Sequence, residues 1–197
     1  MWLSRYGLRK DNFFTDSKFI VWENKSRKQN PSCLMISDRD NTLIYDMGYV
    51  HKVSDLAIFN EAFFSLKKVN DAGGSIVIIT NQGGIGLEKF TLKDFAKFNS
   101  LMIKKFRSKG IEIDFVIACP HHPNAKENNN KICDCRKPQT KMFEYIRAQY
   151  DVLDSKIAVF GDADSDIEAA ERMRFAAYKV KDKGDLMKFT DLWLSKM

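Results

Sequence analysis

The sequence predicts an α/β fold in which helices cover both faces of a doubly wound parallel sheet. From Cys33 onward, short apolar runs alternate with segments of helical periodicity, which is the pattern of parallel strands joined by helical crossovers. Polar residues of unusual type follow directly after several of the apolar runs. Because parallel strands end at one edge of their sheet, where ligands bind in such folds, these polar residues are predicted to converge.

The predicted elements follow in order along the chain. Strands are predicted at CLMIS, SIVIIT, FVIAC, KIAVFGD and AAYKV, and helices at FNEAFFSLKKVNDAGG, TLKDFAKFNSLMIKKFRSKG, KMFEYIRAQY and SDIEAAERM. The first helix is predicted to stop at the glycine pair Gly73-Gly74. The second begins with Thr91 and Asp94, a variant of the capping box.

Length and composition indicate one soluble domain. The chain has 197 residues, of which 44% are hydrophobic and 29% charged, as in ordinary globular proteins. Residues 1–31 are aromatic-rich and end in a polar stretch, so we interpret them as an irregular N-terminal extension of unknown role, followed by the folded domain at 32–197. We expect the large aromatic residues of this extension to pack on the domain or on a partner; they are Trp2, Phe13, Phe14, Phe19 and Trp22. No apolar run approaches the ~20 residues that cross a bilayer, and the N-terminus lacks the features of a secretory signal. We therefore expect a cytoplasmic protein with no membrane partner.

The chain is basic, with a formal net charge of +6 and a pI near 9.0. Such a charge raises the question of nucleic acid binding. However, the basic residues are interspersed with acidic ones, which is typical of a solvated surface, and an anionic small substrate fits the charge as well. We expect no nucleic acid partner. The sequence does not determine the oligomeric state, and a monomer is favoured.

Two aspartates, Asp38 and Asp40, follow the first predicted strand in the sequence DRDNT. Side chains at i and i+2 of an extended chain point the same way, and carboxylates held close together repel unless a cation lies between them. The pattern therefore favours a metal site, a proton-transfer site, or both. A strand-ending turn with side-chain caps explains it about equally well.

The ends of the other strands add groups that suit phosphate chemistry. Asp162 follows the fourth strand and, with Asp38 and Asp40, offers the oxygen ligands that Mg²⁺ prefers. The stretch TNQGG brings a hydroxyl, amides and backbone N–H groups, and Lys137 offers a fixed positive charge. Asp38 then suits the role of a nucleophile toward phosphorus, and Asp40 that of a general acid and base.

The cysteines indicate a second metal. Cys119-x-His121 and Cys133-x-Cys135 make a possible Cys₃His set for zinc. His122 competes with His121 for the ligand role. The alternative is a buried Cys119 with exposed thiols elsewhere.

The order of these motifs carries a resemblance. D-x-D-x-T, T-N-Q, a lysine and G-D-x-x-x-D, over residues 33 to about 180, resemble the four motifs of the haloacid dehalogenase (HAD) superfamily of phosphatases. DRDNTLIYDMGYVHKVSD, TNQGGIGLEKFT, CPHHP and CDCRKP further resemble the heptose bisphosphate phosphatases and the related histidinol-phosphate phosphatases, and GYVH and CPHHP favour the former.

The resemblance implies a Mg²⁺-dependent phosphomonoesterase with a zinc-stapled loop over the rim of the site. It implies Asp38 as the nucleophile, Asp40 as general acid and base, and Mg²⁺ at Asp38, Asp40 and Asp162. A structural zinc would lie at Cys119, His121, Cys133 and Cys135. Phosphate and substrate contacts would come from Arg39, Asp46, Gly48, Tyr49, Thr80, Asn81, Gln82, Gly83, Arg136 and Lys137.

The chain departs from the resembled pattern at four positions. Asn41 stands where glycine is common, Gly83 where serine is, Leu87 where arginine is and Ala163 where lysine is. Asparagine tolerates a left-handed backbone, so the turn after Asp40 is predicted to form. The expected substrate is a small phosphorylated sugar, a heptose 1,7-bisphosphate used for surface-polysaccharide precursors. Histidinol phosphate, a 3′-phosphorylated nucleic acid, or a silent binding role with the extension as a docking arm remain as alternatives.

Overall fold

The computed structural model describes residues 13–16, 18–128 and 131–197. Within these residues, seven strands form one sheet in the order β1-β2-β5-β4-β3-β6-β7. Their bounds are β1 Phe13–Asp16, β2 Phe19–Glu23, β3 Leu34–Ser37, β4 Ser75–Asn81, β5 Phe115–Cys119, β6 Ile157–Gly161 and β7 Ala176–Lys179. The strands β3 to β7 pair in parallel, as predicted, whereas β1 and β2 are antiparallel additions at one edge.

In the described part of the chain, five α-helices cover the two faces of the sheet. They are α1 Asn60–Asp71, α2 Leu92–Arg107, α3 Lys141–Arg147, α4 Asp164–Arg172 and α5 Lys183–Leu194, with short 3₁₀ helices at Val53–Asp55 and Asp154–Lys156. Buried residues of α1, α2 and α5 share one hydrophobic core, and those of α3 and α4 share a second. The α/β fold with a mostly parallel sheet is therefore confirmed.

The two cores are separated by the alternation of side chains along the strands. Met35 of β3 faces the first core, while its neighbours Leu34 and Ile36 face the second, because successive strand residues point to opposite faces. All four side chains of β3 are buried. This central strand is consequently held on both faces and both edges, which gives the residue after it, Asp38, a fixed position.

Local signals predicted the ends of two helices. The chain leaves α1 at Gly73, whose φ of 80° is left-handed and suits glycine. Thr91 and Asp94 form the predicted capping box of α2. The helix α5 is absent from our prediction, and Leu186 and Trp193 bury its inner side in the first core. None of the described helices is long and apolar enough to cross a membrane.

The structure differs from the prediction of an irregular extension for residues 13–16 and 18–23. Here β1 and β2 form a hairpin, and β2 pairs with β5 from Ile20 opposite Ala118 to Glu23 opposite Phe115. Phe19 and Trp22 are buried, one in each core. The burial of Phe19 and Trp22 stabilises β2 on both faces of the sheet. The pairing of β2 also covers the edge of β5 that would otherwise be open. Trp2, the first of the aromatic residues that we expect to pack, lies outside the described residues.

Candidate active site

The polar residues at the strand ends line one cavity. It has a volume of about 320 Å³ and is lined by Asp38, Asp40, Asn41, Asp46, Gly48, Tyr49, Thr80, Asn81, Gln82, Arg136, Lys137, Asp162, Ala163, Ser165 and Asp166. Two of the predicted substrate contacts, Arg39 and Gly83, do not line it. A larger depression, of about 860 Å³, lies at the other end of the strands near Gly74 and Asp114, away from these aspartates.

Lys137 lies at the centre of the buried charges. Its Nζ is 2.6 Å from Asp38 Oδ1 and 2.5 Å from Asp166 Oδ1, and it donates to the carbonyl oxygen of Ile79 at 2.8 Å. Burial acts to lower the pKa of Lys137, but Asp38 and Asp166 outweigh it and raise that pKa above its ordinary value. The lysine is therefore a permanent cation beside Asp38.

Asp166 is a site residue to which the sequence analysis assigned no role. Asp166 is the last aspartate of the G-D-x-x-x-D motif, so the motif itself could have indicated a role for it. Its side chain is 2% exposed and reaches Lys137 because the chain turns into α4. Asp166 also accepts a hydrogen bond from the backbone of Ala163. A Cβ on Gly161 would lie 2.4 Å from Asp166 Cγ, so this approach requires glycine at position 161.

Asp38, Asp162 and Asp166 form a carboxylate cluster. One oxygen from each lies within 4.8 Å of the others. Burial raises the pKa of Asp38 to about 8; Lys137 opposes this rise, and Asp166 and Asp40 add to it. Burial, with Asp166, also raises the pKa of Asp162. Three carboxylates around one lysine carry an excess of negative charge, and a divalent cation with oxygen ligands fits this cluster.

Asp40, a predicted magnesium ligand, has its side chain apart from the other two predicted ligands, Asp38 and Asp162, and its role in metal binding stays a prediction. The Asp40 side chain is not part of the carboxylate cluster formed by the described residues. Its oxygens instead lie 2.8 Å from Arg39 and accept a hydrogen bond from Gln82 at 2.7 Å. The i and i+2 relation holds for a regular strand, but the chain turns after β3, and Asn41 has a left-handed φ of 55°. This turn directs Asp40 to partners of its own.

Arg39 is a structural residue here, in contrast to its predicted role in substrate binding. Its side chain is 1% exposed, and its guanidinium lies 5.0 Å from the ring centroid of Phe98 on α2. The same group contacts Asn99 and the carbonyl oxygen of Val50. Arg39 thus holds the carboxylate of Asp40, and its own side chain is buried and does not line the cavity.

The Thr80-Asn81-Gln82 segment orients both sides of the cavity. Gln82 Nε2 donates to Thr80 Oγ1 at 2.9 Å as well as to Asp40. Asn81 makes two hydrogen bonds to the backbone of Lys137, accepting from its N–H at 3.0 Å and donating to its carbonyl at 3.1 Å. The end of β4 therefore fixes the backbone that carries Lys137.

The 46–49 loop forms the exposed rim of the cavity. Asp46 accepts hydrogen bonds from the backbone of Gly48 and Val50, which closes the loop on itself. Gly48 and Tyr49 have φ values of 99° and 59°. The ammonium of Lys89 lies 3.6 Å from the ring centroid of Tyr49. The rim thus presents an aromatic ring with a cation beside it.

Three thiols and one imidazole form a second cluster beside the cavity. Cys119, His121, Cys133 and Cys135 each offer one atom, all within 4.8 Å of one another. Neighbouring atoms are 3.1 to 3.6 Å apart, close to the edges of a tetrahedral site, and the four cysteines of the chain are free. Three thiolates and a histidine are the donors that structural zinc takes. His122 instead accepts from the backbone of Asn124 and is not in the cluster.

The second cluster continues directly into Arg136. The Arg136 N–H donates to Cys133 Sγ at 3.4 Å, and its Nη1 donates to the His121 carbonyl at 3.1 Å. A Cβ on Gly83 would lie 2.8 Å from the His122 ring and 3.0 Å from Arg136 Nη1. The absence of a side chain at position 83 therefore lets this loop approach β4 closely.

Comparison with known sequences places the chain among phosphatases. The family described as polynucleotide kinase 3 phosphatase matches residues 34–188. A protein of Thermoplasma volcanium, named probable D-glycero-D-manno-heptose-1,7-bisphosphate 7-phosphatase, is 38% identical over 138 residues, which are 70% of this chain and 90% of that protein.

Solved structures share the fold. A HAD-like phosphatase from Mesorhizobium loti superimposes with a TM-score of 0.81 over 92% of this chain and 96% of its own, at 22% identity. The D,D-heptose 1,7-bisphosphate phosphatase of B. bronchiseptica, solved with magnesium and phosphate, gives a TM-score of 0.74 at 22% identity over 84% of this chain and 99% of its own.

Proposed function

This chain belongs to the polynucleotide kinase 3 phosphatase family of HAD phosphatases, and from its similarity to a relative named as a heptose bisphosphate phosphatase we propose that it removes the 7-phosphate of D-glycero-D-manno-heptose 1,7-bisphosphate. The phosphate would be cleaved in the biosynthesis of surface-polysaccharide precursors. The name of the Thermoplasma volcanium relative supports this substrate. The observation that carries the proposal is the placement of Asp38 at the end of the central strand, in contact with Lys137 and close to two further carboxylates.

The residues of the cavity support a two-step displacement. Lys137 occupies Oδ1 of Asp38, which leaves Oδ2 available to attack phosphorus and form an aspartyl-phosphate. The carboxyl of Asp40, oriented by Arg39 and Gln82, would protonate the leaving sugar oxygen and then deprotonate the water that releases phosphate. Thr80 and Lys137 would contact the phosphoryl oxygens.

The two clusters support one metal each. Asp38, Asp162 and Asp166 would hold Mg²⁺, which when bound neutralises negative charge on the carboxylates and on the phosphoryl group. Cys119, His121, Cys133 and Cys135 would hold a structural Zn²⁺, since all four ligand positions are filled by protein. Because Arg136 and Lys137 follow directly, this zinc would fix the loop over the cavity.

A bisphosphate needs a second anion site, and Arg136 is our candidate for it. Arg136 lines the cavity and is held by the His121 carbonyl. Histidinol phosphate has one phosphate and carries cationic groups, so this rim disfavours it. One desolvated charge contact is worth over ~1.4 kcal/mol, or about 10-fold. We expect at least about this preference in kcat/KM for the heptose.

A second candidate is the 3′-phosphate of a nucleic acid, because the matched family is described by that activity. A panel of heptose 1,7-bisphosphate, histidinol phosphate, fructose 1,6-bisphosphate and a 3′-phosphorylated oligonucleotide decides between the candidates, with phosphate release as the measurement. Asp38→Asn should abolish turnover of every substrate while the circular dichroism spectrum is unchanged. Preference for the oligonucleotide or for histidinol phosphate would overturn the substrate assignment, and full activity of Asp38→Asn would overturn the covalent mechanism.

A further inference from the structure

The N-terminal hairpin lies against the loop that carries the cysteine cluster. The family match begins at residue 34, so β1 and β2 precede the matched region. Nevertheless β2 pairs with β5, the strand that ends in the cluster residue Cys119. The start of β2 therefore reaches the same end of the sheet as the candidate active site.

Two neighbouring residues at the turn of the hairpin make the contacts. Lys18 Nζ forms an ion pair with Asp134 Oδ2 at 3.0 Å, and the Lys18 carbonyl oxygen lies 3.6 Å from Cys135 Sγ. Phe19 is 4% exposed and packs edge-on against Tyr145 of α3, with ring centroids 5.4 Å apart. The turn thus touches the loop at two consecutive positions, Asp134 and Cys135.

The contacted segment leads to Arg136 within one residue. Lys137 has restraints of its own, namely the two hydrogen bonds between its backbone and the Asn81 side chain and its ion pairs with Asp38 and Asp166. Arg136 is held by residues of the cysteine cluster, because its N–H donates to Cys133 Sγ and its guanidinium donates to the His121 carbonyl. Loss of a contact to the loop should consequently loosen Arg136 more than Lys137.

We infer that the hairpin turn is a brace of the active-site loop and that Lys18 is a positioning residue, which acts through Asp134 to hold Arg136 at the rim of the cavity. The functional part of this inference rests on the proposed substrate, because Arg136 is our candidate for the phosphate that is retained. The mechanical part concerns only the segment Cys133–Lys137 and is independent of any substrate.

Charge reversal with a compensating swap tests the inference. Loss of an exposed ion pair together with the repulsion of two like charges should cost about 1 kcal/mol, which corresponds to an effect of about 5-fold. In the full chain as purified, Lys18→Glu should speed hydrogen exchange of the Arg136 N–H by this factor. It should also raise KM for heptose 1,7-bisphosphate, with kcat within about twofold. The double variant Lys18→Glu/Asp134→Lys should restore both values.

A matched control separates the contact from the change in net charge. Lys25 is exposed, lies in the same N-terminal segment, and lines the depression at the other end of the strands, so Lys25→Glu should leave exchange and KM as in the wild type. The inference is overturned if Lys18→Glu behaves as Lys25→Glu, if the swap fails to restore exchange, or if exchange quickens without any change in KM. If the wild type hydrolyses no heptose bisphosphate, the proposed function fails, and the exchange of Arg136 alone decides whether Lys18 braces the loop.

Discussion

Replacement of Lys137 by methionine should destabilise the protein strongly and make its stability depend on magnesium. The lysine is 5% exposed and lies between two carboxylates, Asp38 and Asp166, whose side chains are 9% and 2% exposed. Removing one partner of a buried ion pair costs about 3–5 kcal/mol, because the remaining charges stay desolvated. For a chain of this size each kcal/mol corresponds to roughly 2–4 °C. Lys137→Met should therefore melt roughly 6–20 °C below the wild type in a chelator.

Magnesium should recover part of this loss. A cation bound to the native state stabilises it by about 2.7 kcal/mol at 100 times its Kd, and the variant cluster, with one positive charge fewer, should attract the cation more strongly. The increase in melting temperature on adding Mg²⁺ should be larger for Lys137→Met than for the wild type. Turnover should fall at least about 10²-fold in either condition, since a fixed charge at the phosphoryl group is lost.

The control is Lys68→Met, which removes the same charge from a half-exposed pair with Asp191. Such pairs contribute up to ~1 kcal/mol, so this variant should melt within roughly 4 °C of the wild type. Differential scanning calorimetry with and without Mg²⁺ measures both variants. The argument from the buried cluster is refuted if Lys137→Met loses no more stability than Lys68→Met, or if Mg²⁺ shifts all three proteins equally.

Three further predictions follow from other parts of the structure. Cys133→Ser should lower both the zinc content, measured by elemental analysis, and the melting temperature, measured by calorimetry. The control Cys33→Ser, which lies outside the cluster, should keep its zinc. A wild type that is free of metal and fully stable would contradict this prediction. Gly84→Ala should lower the free energy of unfolding in urea by about 1–3 kcal/mol, because its Cβ would lie 2.2 Å from a Phe90 ring carbon. Gly83→Ala should instead act mainly on KM, because it displaces Arg136. Equal losses of stability in the two variants would refute this distinction. A chain that starts at Ser32 should melt lower and associate, because it exposes the edge of β5; equal melting temperature, mass and turnover would show the segment to be dispensable.

Local patterns predicted most of the fold because the strands are buried and short. The run SIVIIT became β4, and the helical spacing before Gly73 became α1. The hairpin and the strand order were not predicted, because they depend on which strand edge remains open. The composition of residues 1–31 does not indicate which strand they would pair with. Phe19 and Trp22 were recognised as residues that need burial, but not as parts of strands.

Site residues that directly follow a strand were predicted from the sequence. Roles that depend on contacts between distant parts of the chain were missed. Asp38 and Thr80 lie beside the cavity because strand ends converge. Arg39 sits between two aspartates and was predicted to contact the substrate, yet its partners Phe98 and Asn99 come from α2. The role of Asp166 depends on the turn at Gly161, which only the folded chain reveals.

The pairing of Asn81 with the backbone of Lys137 has a consequence for the growing chain. The two residues are 56 positions apart, and Lys137 and Asp38 are 99 apart, so the charges of the site meet only through distant segments. Contacts between distant segments form late, because the intervening loops must close first. Asp166 would have to emerge from the ribosome before Lys137 could form both of its ion pairs, with Asp38 and with Asp166. Until then the emerging polypeptide should carry no phosphatase activity, however well its first strands have folded.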